Sequence, residues 1–497
     1  MAISNPGGLL NSTPGVIQQA TALNYLDLAD ASNAGWGQQY VPDLMEKEAE
    51  VFGPRTISGF LAQVGAEEAM TADQVVWSEQ GRLHLSYTCT MTDNNGNING
   101  SLNGGKVTIT DHIDTGAAYV SGSHGIRVND TVIISNPEAV IKALVSEVDG
   151  NVVEVVPYGV ADCSAITDAK TDCVILVYGS EFAKGSTYLS AAAAATERRG
   201  SNEPTFKSYS NKPIIMKDYY EVSGSDASKI GWVEVSSEEG QSGYLWYLKA
   251  ESDTRSRFTD YIEMAMLEGE KGVPGTDAVD NFLGSAADLV GTQGLFAAIE
   301  SRGNVTTGVT GVNAATDLAE FDAILAEFDK QGAIEEYMMF VNRSTSLAMD
   351  DMLASMNSYG AGGTSYGVFD NDEDMALNLG FSGFRRGSYD FYKSDMRYLN
   401  DKATRGGIND AAGANAIRGV MIPAGMSTVY DQQVGSSMKR PFLHVRFRAS
   451  QTDNRRMKSW VTGSVGAATS ALDAMQLHFL TERCLITQGA NNFMLMK

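Results

Sequence analysis

The sequence predicts an α+β protein that carries a small all-β domain as an insertion. Residues 88–181 alternate polar and apolar positions throughout, as strands with one buried face do. A long helical pattern follows from Gly240 to Gly269, and the remainder of the chain mixes helix and strand patterns without an internal repeat. With 497 residues, 43 % of them apolar, the chain can bury an ample core and fits about three domains.

The chain before the insertion is low in hydrophobic residues. Polar and small residues dominate residues 1–45, and glycine and proline pairs interrupt them, so we expect an extended arm with little core of its own. A helix is predicted from Val41 to Leu61. The first strand pattern begins at Val75-Val76-Trp77.

The inserted segment reads as strands joined by tight turns. Asp149-Gly150 lies between two runs rich in valine, which predicts a two-residue hairpin whose turn residues both take positive φ. Residues 88–181 also hold 12 Asp/Glu, only 4 Lys/Arg and three of the four cysteines. We expect a barrel or a sandwich.

The stretch after the insertion contains the longest helix. Lys249 to Arg257 in its middle are polar on all sides, which excludes a coiled coil and favours a helix lying along a sheet. The later patterns predict three helices and several strands, namely Asp277–Arg302, Asp317–Gln331 closed by Gly332, Ser344–Met356, Tyr337–Val341, Tyr389–Tyr392, Gly419–Ile422 and Phe442–Ala449.

The charge is strongly acidic and uneven. The net charge is −24, which argues against nucleic acid or anionic lipid as the main partner, because binding phosphate needs clustered cations. Residues 381–497 hold 16 Lys/Arg and 8 Asp/Glu, and residues 1–380 hold the other 21 and 53. Either each surface is simply solvated, or the basic quarter of one subunit docks on the acidic part of another.

No pattern indicates catalysis, a metal or a cofactor. The four cysteines have no ligand spacing, so we expect reduced thiols, with a Cys163–Cys173 bridge as the alternative. The five histidines are scattered. The glycine-rich residues 360–367 lack the features of a phosphate-binding loop, and the acidic residues 370–374 lack those of an EF-hand. We therefore expect no enzyme.

Basic pairs are the candidate interaction residues. On an acidic protein, paired cations favour salt bridges between subunits over nucleic-acid binding. The candidate subunit-interface residues are Arg385, Arg386, Lys439, Arg440, Arg455, Arg456, Arg198 and Arg199. No apolar run is long enough to cross a bilayer, and the first residues lack a signal-peptide pattern, so we expect a soluble protein made in a cytosol.

The order of elements resembles a known family. Several short stretches carry the resemblance, namely Val75-Val76-Trp77-Ser78-Glu79, Tyr244 to Gly269, Phe340-Val341-Asn342-Arg343, Leu379 to Phe384, and Thr481-Glu482-Arg483-Cys484. In this order they are similar to the major capsid proteins of tailed bacteriophages, which have the HK-97-like fold, and most similar to those of crAss-like phages. The resemblance covers nearly the whole chain except residues 88–181.

The resemblance implies a domain organisation. The N-terminal arm would be residues 1–45. The E-loop, residues 78–222, would contain the inserted β domain at 88–181. The peripheral domain, with a long spine helix, would combine residues 46–77, 223–275 and 439–497, and the axial domain would be residues 276–438.

The resemblance also implies a function. The chain would be a structural protein of the virion that self-assembles into hexamers and pentamers of an icosahedral head. Assembly would occur in the cytoplasm of the bacterial host. Its partners would be other copies, the portal, auxiliary or head-fibre capsid proteins, and packaged dsDNA enclosed without sequence-specific binding. The alternative is an acidic, β-rich virion surface protein or adhesin, and the role of the inserted domain stays open.

Overall fold

The structure is a computed structural model. It describes residue 60 and residues 66–80, 86–98, 102–112, 124–185, 206–227, 234–236, 242–272, 291–332, 334–356, 383–424, 426–431, 436–465 and 468–497. The predicted arm and the first predicted helix, apart from Phe60, lie outside these residues. So do the glycine-rich and acidic loops.

Strands make up most of the described chain, and we number them in chain order. The first twelve are β1 (Ala66–Met70), β2 (Val75–Gln80), β3 (Ser86–Asp93), β4 (Asn97–Ile98), β5 (Leu102–Asn103), β6 (Gly105–His112), β7 (Asp130–Ser135), β8 (Val140–Asp149), β9 (Val152–Pro157), β10 (Lys170–Ser180), β11 (Phe206–Asn211) and β12 (Ile214–Ser223). The others are β13 (Glu234–Ser236), β14 (Ser242–Tyr244), β15 (Asn304–Thr306), β16 (Glu336–Val341), β17 (Gly383–Arg386), β18 (Tyr389–Asp395), β19 (Gly419–Pro423), β20 (Met426–Asp431), β21 (Ser436–Pro441), β22 (Leu443–Arg448), β23 (Lys458–Gly463), β24 (Ala474–Thr487) and β25 (Met494–Met496).

Helices are fewer and lie mainly in the second half of the chain. They are α1 (Gly224–Ala227), α2 (Leu245–Glu268), α3 (Leu295–Arg302), α4 (Ala314–Gln331), α5 (Arg343–Met356), α6 (Arg397–Asn400) and α7 (Arg405–Ala412). The fold class is therefore mixed α and β, as the sequence predicts. No described helix is long and apolar enough to cross a membrane.

The chain divides into two compact units. Residues 78–209 form one, which we call the barrel unit, and residues 1–77 with 210–497 form the other, which we call the body. In the barrel unit, the strands close in the order β10-β3-β6-β9-β8-β7. Every strand of a closed barrel has two neighbours, so the barrel leaves no unpaired edge.

The barrel is filled by small and branched apolar side chains. Its buried core contains valines and isoleucines from the barrel strands together with Cys89, Cys163 and Cys173. The hairpin between β8 and β9 forms where the sequence predicts it, but its geometry differs. Asp149 ends the strand opposite Val152, and Gly150 alone of the pair has a positive φ, of 61°. The turn residues are thus Gly150 and Asn151, the pattern of a type II′ turn, in which only the first residue needs positive φ.

The body contains a five-stranded sheet built from distant parts of the chain. The order is β1-β22-β24-β12, with β23 also paired to β24; β1 runs parallel to β22. Helix α2, with 24 residues, packs on this sheet through Phe258 and Ile262, which contact Leu477 and Phe479 of β24. The predicted helix along a sheet is confirmed by this packing.

A second sheet in the body has six strands in the order β15-β25-β19-β16-β18-β17. The last strand, β25, therefore pairs with β15 and β19, although residues 439–497 were expected to belong to the other domain. Helices α4 and α5 contribute to the core beside this sheet, where Phe328 stacks on Tyr337 with ring centroids 4.4 Å apart. Gly332 ends α4 with φ 65°, as predicted.

One buried asparagine ties several of these elements together. Asn211 is 1 % exposed and donates to the carbonyls of Gln293 and Leu485 at 3.0 and 2.7 Å. Its own side-chain oxygen accepts from the Gln293 backbone N–H at 2.9 Å. Because a buried amide without partners is costly, this satisfied set holds the chain where it enters β12.

Candidate functional site

The cysteines are buried and unreactive in character. All four are free thiols. Burial raises the pKa of Cys163 to about 11 and that of Cys484 to about 12, and it raises the pKa of Cys89 and Cys173 as well. The thiolate is the nucleophile and the metal ligand, so these groups are suited to packing. Within the described residues, no group of His, Cys, Asp and Glu side chains could hold a metal ion.

The histidines occupy separate structural positions. His444 is buried in β22, and a ring nitrogen of His124 lies 2.9 Å from the Gly150 carbonyl oxygen. His478 stacks between Tyr219 and Trp460. His84 lies outside the described residues. The scattered arrangement inferred from the sequence agrees with these positions.

The basic pair of β17 splits between two environments. The Arg386 guanidinium donates two hydrogen bonds to Asp322 of α4, at 2.5 and 2.7 Å. These hydrogen bonds hold the pKa of the Asp322 carboxyl below its usual range. Arg385 lies 3.6 Å from Asp390 and keeps 65 % of its side chain exposed. Arg386 is therefore occupied within its own chain, whereas Arg385 is open to solvent.

The pair Arg455-Arg456 belongs to a network around a buried carboxylate, Glu482 of β24, which is 3 % exposed. Its two oxygens accept from Arg448 and Arg455, each at 2.6 Å. Arg448 also pairs with Asp73 and donates to the Thr71 carbonyl at 3.1 Å. Two such charge-assisted hydrogen bonds offset the cost of burying the Glu482 carboxylate away from water.

A second layer of the network connects β1 to the same strands. Glu67 pairs with Arg456 and lies 3.6 Å from Arg483, and Glu68 lies 3.0 Å from Arg446. Burial lowers the pKa of Arg483, and the neighbouring Glu67 opposes that shift. The acidic residues of β1 thus neutralise arginines of the C-terminal strands within one chain.

Most of the basic C-terminal quarter behaves in this way. Of the 16 Lys/Arg in residues 381–497, twelve form ion pairs with carboxylates of the same chain, at positions 385, 386, 393, 397, 405, 446, 448, 455, 456, 458, 483 and 497. These ion pairs within the chain neutralise cations that, from the sequence alone, were candidates for contacts with a second subunit. The interface role of the basic pairs stays a prediction, with Arg385 the best placed of the described arginines.

The other candidate residues are not placed. Lys439 and Arg440 lie in β21, but their side chains are outside the described part, and so are Arg198 and Arg199. Sequence reasoning missed Glu482, Glu67, Asp73 and Arg448. The sequence contained part of the signal for this network, because the two-residue alternation of β22 puts Arg446 and Arg448 on one face. Their carboxylate partners, however, are far away in sequence.

Comparison with known proteins finds structural neighbours only. No family model matches the chain, and no curated protein matches it. The chain is similar to a structure titled Microbacterium phage Oxtober96, with 9 % identity and a TM-score of 0.37, over 91 % of this chain and 95 % of that one. The asymmetric unit of the bacteriophage PhiM1 mature capsid has 10 % identity and a TM-score of 0.32, over 64 % and 78 %.

A third neighbour is the satellite phage P4 procapsid including size determination (Sid) protein, with 12 % identity and a TM-score of 0.27, over 64 % of this chain and 86 % of that one. Two of these three titles name a phage capsid or procapsid. At such identities and TM-scores, these neighbours do not define the fold or the function of this chain.

Proposed function

We propose that the chain is the major capsid protein of a tailed bacteriophage with the HK-97-like fold, most similar to those of crAss-like phages. Copies would assemble into hexamers and pentamers of an icosahedral head that encloses dsDNA. One observation supports this most. Helix α2 lies along a sheet whose strands come from residues 66–70, 214–223 and 443–487, and the barrel is inserted between the first two. This is the element order that the sequence resemblance implies.

The proposal includes the domain division. Residues 1–45 would be the N-terminal arm, residues 78–222 the E-loop with its insertion, and residues 276–438 the axial domain. The peripheral domain would combine residues 46–77, 223–275 and 439–497. A subunit held by an arm, a loop and several faces gains from their joint engagement, so each contact can be weak.

The acidic charge fits a container for DNA. Packaged DNA must leave again, and a basic lining would hold it by releasing counterions. The net charge of −24 opposes phosphate binding, and within the described part of the chain most C-terminal cations are paired with carboxylates. The DNA would be enclosed without sequence-specific contacts.

The barrel unit offers a surface for further proteins. Val140, Leu176 and Tyr178 point outward from strands β8 and β10 and are 65, 37 and 51 % exposed, and Tyr158 beyond β9 is 41 % exposed. In register, Leu176 lies opposite Ile133, which lies opposite Lys142, so these strands form one outer face. Exposed apolar side chains therefore share this face with polar ones such as Lys142, and we assign auxiliary or head-fibre proteins to it as partners.

Negative-stain electron microscopy of the purified chain tests the proposal. We expect hexamers, sheets or closed particles. A protein that stays monomeric at all concentrations would contradict it, and trimers or fibres would favour a virion surface protein or adhesin.

The interface prediction is best tested at an arginine whose replacement breaks no close ion pair within the subunit. Arg385→Glu should block ring formation while the subunit stays folded, because Arg385 is exposed and its pairing with Asp390 is long. Lys402→Glu, also an exposed cation of this region, is the matched control and should leave rings intact. Arg386→Glu is unsuitable because it would break the Asp322 contact. Normal rings from Arg385→Glu at low salt would remove this residue from the interface.

A further inference from the structure

Strand β12 is an open edge of the five-stranded sheet. It ends the strand order and pairs with β24 on one side; among the described residues, no strand pairs with its other side. Its 10 residues follow one register from Ile214↔Arg483 to Ser223↔Ala474 without a bulge. A strand at the end of a sheet can accept a further strand beside it, and proteins usually shorten, bend or cover such an edge.

The exposed face of this edge strand is partly apolar. Ile215 and Tyr219 are 52 and 57 % exposed. The Tyr219 ring belongs to an aromatic row across three strands, with centroids 6.1 Å from His478 and a further 5.2 Å from His478 to Trp460. A strand added beside β12 would extend this row and cover apolar surface that a single copy leaves in water.

Two opposite charges on the same face lie at equal distances from Tyr219. Lys217 lies two residues before Tyr219 and Glu221 two residues after it, and all three share the face that carries Ile215. Lys217 has no carboxylate partner in the described part of the chain. Glu221 accepts from the Gln476 amide at 2.6 Å through one oxygen, which leaves the other oxygen available.

This arrangement selects a second copy of β12 as the partner. Two identical edge strands can pair antiparallel about a two-fold axis normal to the sheet. Residues that lie opposite each other then share one face, so the axis lies between the two copies of a single residue. An axis at Tyr219 places Lys217 opposite Glu221 twice. An axis at Lys217 or Glu221 sets like charges opposite each other, and one at Asp218 or Tyr220 pairs no opposite charges.

We propose that two copies of this chain associate through β12, antiparallel and centred on Tyr219, so that Lys217 of each copy faces Glu221 of the other. The two sheets then continue across the axis, and the Tyr219 rings meet at its centre. The charged side chains that keep the edge soluble in one copy also specify the register in the pair. This contact does not depend on whether closed shells form.

Charge reversal with complementation tests the pairing. Lys217→Glu and Glu221→Lys each place like charges opposite each other twice, and opposite-charge cross-strand pairs contribute roughly 0.2–1 kcal/mol each, so each variant should weaken dimerisation roughly tenfold. An equimolar mixture of the two variants should recover dimers, because a strand with two acidic residues at these positions then faces a strand with two lysines. The double variant Lys217→Glu/Glu221→Lys should also dimerise like the wild type.

The measurement is sedimentation equilibrium of the full chain at fixed salt. Cross-linking adds a direct readout, because the native cysteines are buried. Tyr219→Cys should form a disulfide-linked dimer under mild oxidation, and Val461→Cys, on the exposed β23 (48 % exposed), should not. Single variants that dimerise like the wild type, or a mixture no better than its components, would overturn the proposal. So would a wild type without dimers, even if microscopy shows shells.

Discussion

The barrel unit and the body reach stability by different routes. In the barrel, β7, β8 and β9 are consecutive hairpin neighbours, and the core is apolar. In the body, contacts join the two ends of the chain, such as Arg448 with Asp73, 375 residues apart, and a buried carboxylate lies at the junction. Three neighbouring barrel strands are therefore specified by local hairpins, although the closing pair of β10 with β3 joins distant residues, whereas the body depends on long-range partners throughout.

The largest effect should come from cavities in the two cores. Phe321 in the body and Ile134 in the barrel are both 0 % exposed. Truncating a buried Phe costs about 3–5 kcal/mol and a buried Ile about 2–5 kcal/mol, because a cavity adds to the lost transfer free energy. We expect Phe321→Ala to lower only the unfolding transition of the body and Ile134→Ala only that of the barrel, measured by calorimetry.

Thiol labelling assigns the transitions. Cys163 reports on the barrel and Cys484 on the body, and the raised pKa of each keeps it unreactive until its unit opens. If Cys163 and Cys484 become reactive at the same temperature in either variant, the two units unfold together. That result would contradict the separate stabilisation of the barrel unit and the body.

A smaller effect is expected at the charge network. Glu482→Gln should destabilise the body by about 2–3 kcal/mol, because Arg448 and Arg455 lose a buried charged acceptor. The barrel supplies a control in Glu154→Gln, whose pair with Lys106 at 2.7 Å is partly exposed and should contribute about 0–1 kcal/mol. Urea unfolding measures both. Equal losses would mean that burial does not distinguish the two carboxylates.

The smallest effect concerns the titration of two paired carboxyls. In the barrel, hydrogen bonds from Lys170 and then Thr167 lower the pKa of Glu138 to about 2; in the body, Arg386 lowers the pKa of Asp322. A depressed folded pKa stabilises above the unfolded value of about 4.3 for Glu, and this contribution disappears as the pH falls through the folded pKa.

Carboxyl NMR titration checks these directions. Lys170→Met should return the pKa of Glu138 towards its usual range and leave Asp322 unchanged, and Arg386→Met should do the reverse. An unchanged Glu138 pKa in Lys170→Met would show that this ion pair does not hold in solution.

Several elements were predictable because their signals are local. Helix α4 was expected from Asp317 and begins three residues earlier, at Ala314, where the Asn313 side chain accepts from the Thr316 backbone N–H. Strands β16, β19 and β22 lie within about a residue of their predicted bounds. By contrast, the predicted helix from Asp277 is described only as α3, from Leu295. The Asp149-Gly150 turn was predicted in place but with both residues at positive φ, and the register assigns the turn to Gly150 and Asn151.

The candidate site was less predictable. The sequence identifies Arg385, Arg386, Arg455 and Arg456 as basic pairs and candidate interface residues, but not which of them are neutralised within the chain. Arg386 and Arg455 find Asp322 and Glu482 only because strands and helices from other regions bring those carboxylates within hydrogen-bond distance. No spacing along the chain contains that information.

The sequence by itself determined the class of fold, the inserted β domain and the absence of a recognisable catalytic motif. These follow from burial periodicity and residue chemistry, which act over a few neighbouring residues. Only the tertiary structure decided that the barrel closes, that β25 joins the second sheet, that β1 neutralises the C-terminal arginines, and that β12 ends a sheet. Each of these depends on which distant strands pair, and a strand's own pattern specifies its face but not its neighbour.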